Sequence, residues 1–206
     1  MQFIDQSRKM KKNSPYSCDP DLNIIKIHSY ESSIQFHEFI NLPCWLKNHF
    51  KQDFDLHRRN TEGVIFLAKN NQKKIKASVY VELYPDHLSY GKRIPIFGWL
   101  KAQSYEICAE LMNYVEKYVK LHNFQVLRGP INSPCIYGGW GINISKKNLP
   151  HMINTARNNP LLVYWLEDLG YYPDTEYSAV EYSKLDFDKN PLNNAQFSFS
   201  SPSIFE

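Results

Sequence analysis

The chain has 206 residues, the size of one ordinary domain and too few for two large ones with a linker. Its 24 Lys and Arg stand against 21 Asp and Glu, a net charge of +3 with the histidines neutral, which disfavours both a strongly basic nucleic-acid platform and an acidic disordered tail. Apolar residues make up 43% of the chain, including 12 Phe, 14 Tyr and 4 Trp, ample area for a core at about 25 cal/mol per Å² buried.

Apolar runs such as Leu161 to Leu166 fall far short of the roughly 20 residues that cross a bilayer, so no membrane partner is expected. The opening Met1-Gln2-Phe3-Ile4-Asp5-Gln6-Ser7-Arg8-Lys9 has no apolar stretch behind its basic residues and does not read as a secretory signal, which makes the cytoplasm the expected compartment. Cys18, Cys44, Cys108 and Cys135 are spaced too widely and irregularly for a zinc knuckle or a redox pair, and no metal site is expected.

In chain order, residues 1–20 are polar and without periodicity, and are expected to form a flexible arm ahead of a domain spanning 21–186. Leu22 to Ile27 is a β-branched cluster that reads as a strand, and Ser32 to Ile40 places Ile34, Phe36, Phe39 and Ile40 at helical spacing. The charged and aromatic segment from Pro43 to Asn60 carries no decisive period, and its Arg58-Arg59 reads as a solvated charge run. Val64 to Ala68 is a short apolar strand followed by the polar turn Asn70-Asn71-Gln72-Lys73. The next strand alternates: Ile75, Ala77, Val79, Val81 and Leu83 share one face, Lys76, Ser78, Tyr80 and Glu82 the other. Ile94 to Leu100 completes an antiparallel meander, with Gly98 marking a weak point or bulge.

Ser104 caps a helix running to about His122, on which Ile107, Cys108, Leu111, Met112, Val115 and Val119 form one apolar stripe, so Cys108 belongs to the core. Phe124 to Leu127 then follows a helical crossover and is expected parallel to the strand before it. A long Gly- and Pro-bearing loop from Gly129 to Lys147 has a length found in either functional or disordered segments. Asn159 and Pro160 open a helix with Leu161, Leu162, Trp165, Leu166 and Leu169 inward, closed by Gly170. Glu176 to Leu185 reads as a last strand, and residues 187–206 as an Asn-, Ser- and Phe-containing tail.

The order of these elements resembles the GNAT superfamily of acyl-CoA-dependent N-acyltransferases. The residues that carry the resemblance are Phe39-Ile40-x-Leu42-Pro43-x-Trp45-Leu46, Phe66-Leu67-Ala68, Phe97-Gly98-Trp99-Leu100, Arg128-Gly129-Pro130-Ile131-Asn132, and Asn158-x-Pro160 with Leu169-Gly170-Tyr171. They are similar to a poorly characterised GNAT-like bacterial branch that also lacks the usual glycine-rich pyrophosphate loop. The fold implied is α/β (α+β), with a mixed, mostly antiparallel central sheet, helices on both faces, and a splay between the fourth and fifth strands of the predicted order.

The activity implied is transfer of an acyl group from acetyl-CoA or another acyl-CoA to an amine of a small molecule or peptide, and a homodimer is the assembly to be tested. A catalytically inactive GNAT-like module that binds a ligand or a partner is the competing reading. Where the superfamily carries its glycine-rich loop, this chain has Lys101-Ala102-Gln103-Ser104-Tyr105-Glu106, without a glycine. Lys101, Gln103 and Ser104 are the cofactor-binding candidates there, although Glu106 repels phosphate. Asn132 and Ser133 are the candidates beside the acyl group, and Trp99, Tyr137 and Trp140 for an aromatic wall around the substrate. The superfamily's proton-donating tyrosine falls on Trp165 here, which leaves neighbouring Tyr164 as its substitute. Glu82, on the polar face of its strand, is the candidate base, against the plainer reading of a solvated sheet face.

Overall fold

The computed structural model describes residues 2–9, 22–27, 30–42, 44–86, 88–89, 91–143 and 158–178. Its elements are β1 (Gln2–Lys9), β2 (Asn23–Ile27), α1 (Tyr30–Ile40), α2 (Cys44–Asn60), β3 (Val64–Lys69), β4 (Ile75–Glu82), β5 (Ile96–Ala102), α3 (Tyr105–Leu121), β6 (Val126–Gly129), α4 (Cys135–Gly138), β7 (Ile142–Asn143), α5 (Leu162–Asp168) and β8 (Tyr172–Ser178). The strands form one sheet in the order β2-β3-β4-β5-β6-β1-β7, with β8 also paired to β1. Every ladder is antiparallel except β5 with β6, the pair joined through the α3 crossover.

Two cores flank this sheet. On one face, Val64, Phe66, Ala77, Val79, Val81 and Phe97 pack against the α3 stripe of Cys108, Leu111, Met112, Val115 and Val119 and against Leu162 and Leu166 of α5. On the other, Ile65, Leu67, Tyr80 and Trp99 meet Phe36 of α1 and Phe50 and Phe54 of α2. Helices therefore cover both faces, as the α/β expectation required. Cys108 is buried, and burial pushes its thiol up to about 12.

Several expectations are corrected. The segment expected as a flexible arm contains β1, whose residues 6–9 pair with β6, residues 3–4 with β7 and residues 2–7 with β8. Its sequence is polar because a strand held by three backbone ladders needs little apolar alternation of its own. The unassigned stretch after Pro43 is α2, whose buried face is carried by Phe50, Phe54, Asp55 and Arg58. Arg58 is thus not part of a solvated run; it lies 3.9 Å from Asp55, whereas Arg59 is exposed. The polar face of β4 is not solvated either: Ser78, Tyr80 and Glu82 are all buried, with Phe54 of α2 against Tyr80 and His57 of α2 hydrogen-bonded to Glu82. The loop after Gly129 contains α4 and β7. The last strand starts at Tyr172, earlier than its apolar content suggested. His87, Cys18 and residues 179–206 lie outside the described residues.

Candidate ligand-binding cleft

The site begins with a bulge. Register along β4 and β5 holds from Glu82↔Ile96 to Tyr80↔Gly98, then shifts so that Ser78 faces Lys101. Trp99 and Leu100 therefore oppose the single residue Val79, the extra residue that defines a β-bulge near Gly98. Trp99 takes the strain, with φ at +52°, an uncommon setting for a bulky side chain. Its surroundings hold it there. The Trp99 backbone N–H donates to Asn132 Oδ1 at 2.6 Å, the indole N–H donates to the Ser133 carbonyl at 2.7 Å, and the ring packs 4.8 Å from Phe50. Ser78 Oγ donates to the Trp99 carbonyl at 3.4 Å.

The same bulge parts β5 from β6. Their ladder has one registered pair, Ile96↔Arg128, flanked by Arg128 N–H to the Pro95 carbonyl at 3.0 Å and Ile131 N–H to the Phe97 carbonyl at 2.7 Å. Close approach there depends on two glycines: a Cβ on Gly98 would lie 1.9 Å from the Ile131 carbonyl oxygen, and one on Gly129 would lie 2.3 Å from that of Phe97. One step further, the ladder is taken over by a side chain. Asn132 accepts from Trp99 N–H and donates through Nδ2 to the Gly138 carbonyl at 2.7 Å, while its own N–H donates to the Gly139 carbonyl at 3.1 Å. Asn132 thus acts as a wedge that satisfies β5 while holding the next loop away from it.

Beyond the wedge β5 continues to Ala102 while β6 has ended at Gly129, and a cleft of about 300 Å³ opens. Leu100, Lys101 and Ala102 form one side, Leu162 and Trp165 of α5 the other, and Trp99, Asn132 and Tyr137 the inner end. Tyr137 is buried and its hydroxyl donates to the Asp53 carboxylate on α2; burial first, and then Asp53, push the phenol up to about 12. Lys101 Nζ donates to the Phe39 carbonyl at 2.7 Å over the Phe39 ring, and burial lowers its pKa.

Of the residues singled out from sequence, the cleft brings together Trp99, Lys101, Asn132 and Tyr137. Ser133 supports the Trp99 indole from outside the lining, and Trp140 bridges to Ile131. Gln103 pairs with the Lys76 carbonyl and is exposed. Ser104 is the N-cap of α3, its hydroxyl accepting from Ile107 N–H at 3.5 Å. Tyr164 is 62% exposed, on the α5 face turned away from Leu162 and Trp165. Glu82 lies outside the lining, 1% exposed, with Oε1 2.8 Å from His57 Nε2. That hydrogen bond raises the His57 pKa above its usual value, and the neighbouring Tyr80 hydroxyl sits 3.3 Å from Thr61 Oγ1. His57 and Asp53 carry no signal in the sequence because the 43–60 segment shows no decisive period; on the helix their spacing of four places both on one face.

The pyrophosphate end of an acyl-CoA does not fit the start of α3. Glu106 is held ionised there, its carboxyl kept below the ordinary range by a hydrogen bond from its own backbone N–H and then by Ser104. The positive end of the helix is therefore answered by its own chain. The slot between β5 and α5, with a strand edge along one wall, does fit the narrow amide-bearing arm. Among the described residues there is no cluster of His, Cys, Asp and Glu fit for a metal ion, and no helix long and apolar enough to cross a membrane.

No protein-family model matches the chain, and no curated protein matches it in sequence. Solved structures do match. One is described as a GCN5-related glucosamine N-acetyltransferase region of a fungal multi-domain GH3 beta-N-acetylglucosaminidase, at TM-score 0.52 and 10% identity over 86% of this chain. Another, a conserved protein of unknown function from Staphylococcus epidermidis ATCC 12228, aligns at TM-score 0.51 and 12% identity over 85% of this chain. This chain spans 20% and 58% of the lengths of those two chains. With the mostly antiparallel sheet, its parallel β5–β6 pair and the splay at Asn132, these matches give the chain the fold of the GCN5-related N-acetyltransferases.

Proposed function

We propose that this protein is an N-acyltransferase that moves an acyl group from an acyl-CoA thioester, acetyl-CoA in the simplest case, to an amine of a small molecule or peptide. The observation that carries the reading is the slot opened where Asn132 parts β5 from β6, since the end of β5 that has no strand partner on this side among the described residues can pair with the amides of an extended arm. A bound thioester supplies an activated carbonyl; orientation and water exclusion fall to the chain. Trp99 and Tyr137 close the inner end of the slot, and the Asp53 contact keeps the Tyr137 ring fixed. The proton released by the attacking amine is assigned to the His57–Glu82 pair, one helical turn along α2 from Asp53, with His57 as the partly exposed member that reaches solvent. Tyr164 has no part in this reading because it faces away from the slot.

A second reading, a ligand-binding module without chemistry, is favoured by the carboxylate of Glu106 at the α3 N-terminus. Thermal shift with coenzyme A, acetyl-CoA and longer acyl-CoAs, followed by thiol release with a panel of amines, separates the two. A ligand at 100 times its dissociation constant adds about 2.7 kcal/mol of stability. Shift with turnover supports the transferase, shift without turnover supports the binding module, and absence of both overturns both for acyl-CoA.

A further inference from the structure

The acyl-CoA reading leaves the donor's phosphates without a seat, because Ser104 and Glu106 occupy the start of α3. Positive charge gathers instead one strand over. Lys69, Lys73, Lys74 and Lys76 stand on the β3–β4 hairpin, and Lys101 on the neighbouring end of β5. Register ties them together: Lys69 pairs with Ile75, Ser78 with Lys101, and Gln103 N–H donates to the Lys76 carbonyl at 3.1 Å. The segments 69–76 and 101–106 hold these five lysines and a single carboxylate, Glu106, more positive charge than the +3 of the entire chain.

The hairpin that presents them is well braced. Asn70 N–H donates to the Lys74 carbonyl at 3.1 Å, Lys73 N–H to the Asn70 carbonyl at 2.8 Å, and Lys74 N–H to Asn70 Oδ1 at 2.9 Å. Lys69 is committed to Gln35 at 2.7 Å and Lys101 to Phe39, whereas the ammonium groups of Lys73, Lys74 and Lys76 have no hydrogen-bond or ion-pair partner among the described residues. The cleft reaches this rim through Lys101 and Ala102.

We propose that the lysine rim of the β3–β4 hairpin, Lys73, Lys74 and Lys76, lying beside Lys101 at the cleft mouth, binds the phosphates of a phosphopantetheine thioester by side-chain charge, in place of the backbone amides of a helix N-terminus. The proposal rests on the acyl-CoA reading of the cleft. Side-chain ammonium groups act as mobile point charges and do not enforce a single phosphate geometry, so binding at the rim depends steeply on salt.

The test is calorimetric titration of the purified chain with coenzyme A and, separately, with pantetheine, which keeps the arm and lacks the phosphates. The comparison is repeated on the triple variant Lys73→Gln, Lys74→Gln, Lys76→Gln and on a control, Lys117→Gln with Lys120→Gln on α3. The expected result is that coenzyme A binds at least about tenfold tighter than pantetheine at low salt, an advantage that shrinks with added salt. The triple variant loses that advantage, keeps its pantetheine affinity and its melting temperature, and the control retains everything. Equal affinity of the native chain for both ligands overturns the rim while leaving the acyl-CoA reading intact, and so does an undiminished advantage in the triple variant. Failure of both ligands to bind the native chain overturns the acyl-CoA reading itself, and the rim with it.

Discussion

Asn132 reaches across 33 residues of sequence to accept the backbone N–H of Trp99 at 2.6 Å, and through that bond the strained bulge and the open cleft become one feature. Asn132→Ala leaves the buried Trp99 N–H and the Gly138 carbonyl without this partner. Each buried group so exposed costs about 1–3 kcal/mol, and the expected effect is a loss in that range or somewhat above. Chemical denaturation measures it, with Lys117→Ala on the exposed side of α3 as a comparison of small effect. Equal stabilities for the two variants would show that the wedge is not needed.

Glycine at 98 is required by space. An added Cβ would lie 1.9 Å from the Ile131 backbone oxygen, an atom fixed by the ladder, so Gly98→Ala forces β5 and the 130–132 segment apart. Gly91 offers the contrast: its φ is +72° but nothing lies within 4 Å of its Cβ position, and Gly91→Ala costs only the conformational penalty of about 1 kcal/mol. Melting curves should rank Gly98→Ala well below Gly91→Ala, and the reverse order would refute the close-approach account.

The Tyr137–Asp53 contact ties α4 to α2 across 84 residues. Tyr137→Phe and Asp53→Asn, alone and combined, form a double-mutant cycle. A hydrogen bond to a carboxylate contributes about 1.5–3 kcal/mol, and a coupling energy near the lower end is expected because Asp53 is exposed. A coupling indistinguishable from zero would mean that the two residues hold their positions independently.

His37 is half-buried, edge-on to the rings of Phe50 and Phe54 at 5.4 and 5.3 Å, and desolvation first, then Lys51 and Arg58, lower its pKa to about 4. A histidine kept neutral in the fold withholds a proton that the unfolded chain takes up below 6.5. Native stability should therefore fall as pH drops from 6.5 to about 4, and His37→Leu should flatten this acid limb. Urea midpoints across that interval decide it; parallel slopes for the two proteins would remove His37 as the cause.

His57 titrates in the opposite sense. Its folded pKa is raised, first by the Glu82 hydrogen bond, so the pair's contribution is complete below 6.5 and is lost as pH rises through the folded value. The stability difference between the native chain and Glu82→Gln should be largest on the acid side of 6.5 and narrow at alkaline pH. A difference that grows with pH would contradict the assignment.

Legibility from sequence followed the range of the interactions. The α3 stripe, the β3 and β4 strands and the bulge near Gly98 were readable because helical and strand periods, and glycine's lack of a side chain, act over a few residues. β1 was not readable, since its place is decided by ladders to β6, β7 and β8 rather than by its own polar side chains. Alternation puts Glu82 on the polar side of β4, but the burial of that side under Phe54 and His57 of α2 is not readable, because α2 intersperses its apolar residues with charges and shows no clear period.

The candidate site divides along the same line. Trp99, Asn132 and Tyr137 are identifiable in the sequence as residue types in suggestive blocks, and a net charge of +3 is small for a strongly basic nucleic-acid platform. That Asn132 replaces a strand partner, that Tyr137 answers to Asp53, and that Ser104 and Glu106 close the α3 terminus were decided only in three dimensions. The physical reason is that a sequence displays local conformational preference and hydrophobic period directly, whereas the partner of a polar group across 33 or 84 residues is selected by which segments the packed sheet brings within hydrogen-bond reach.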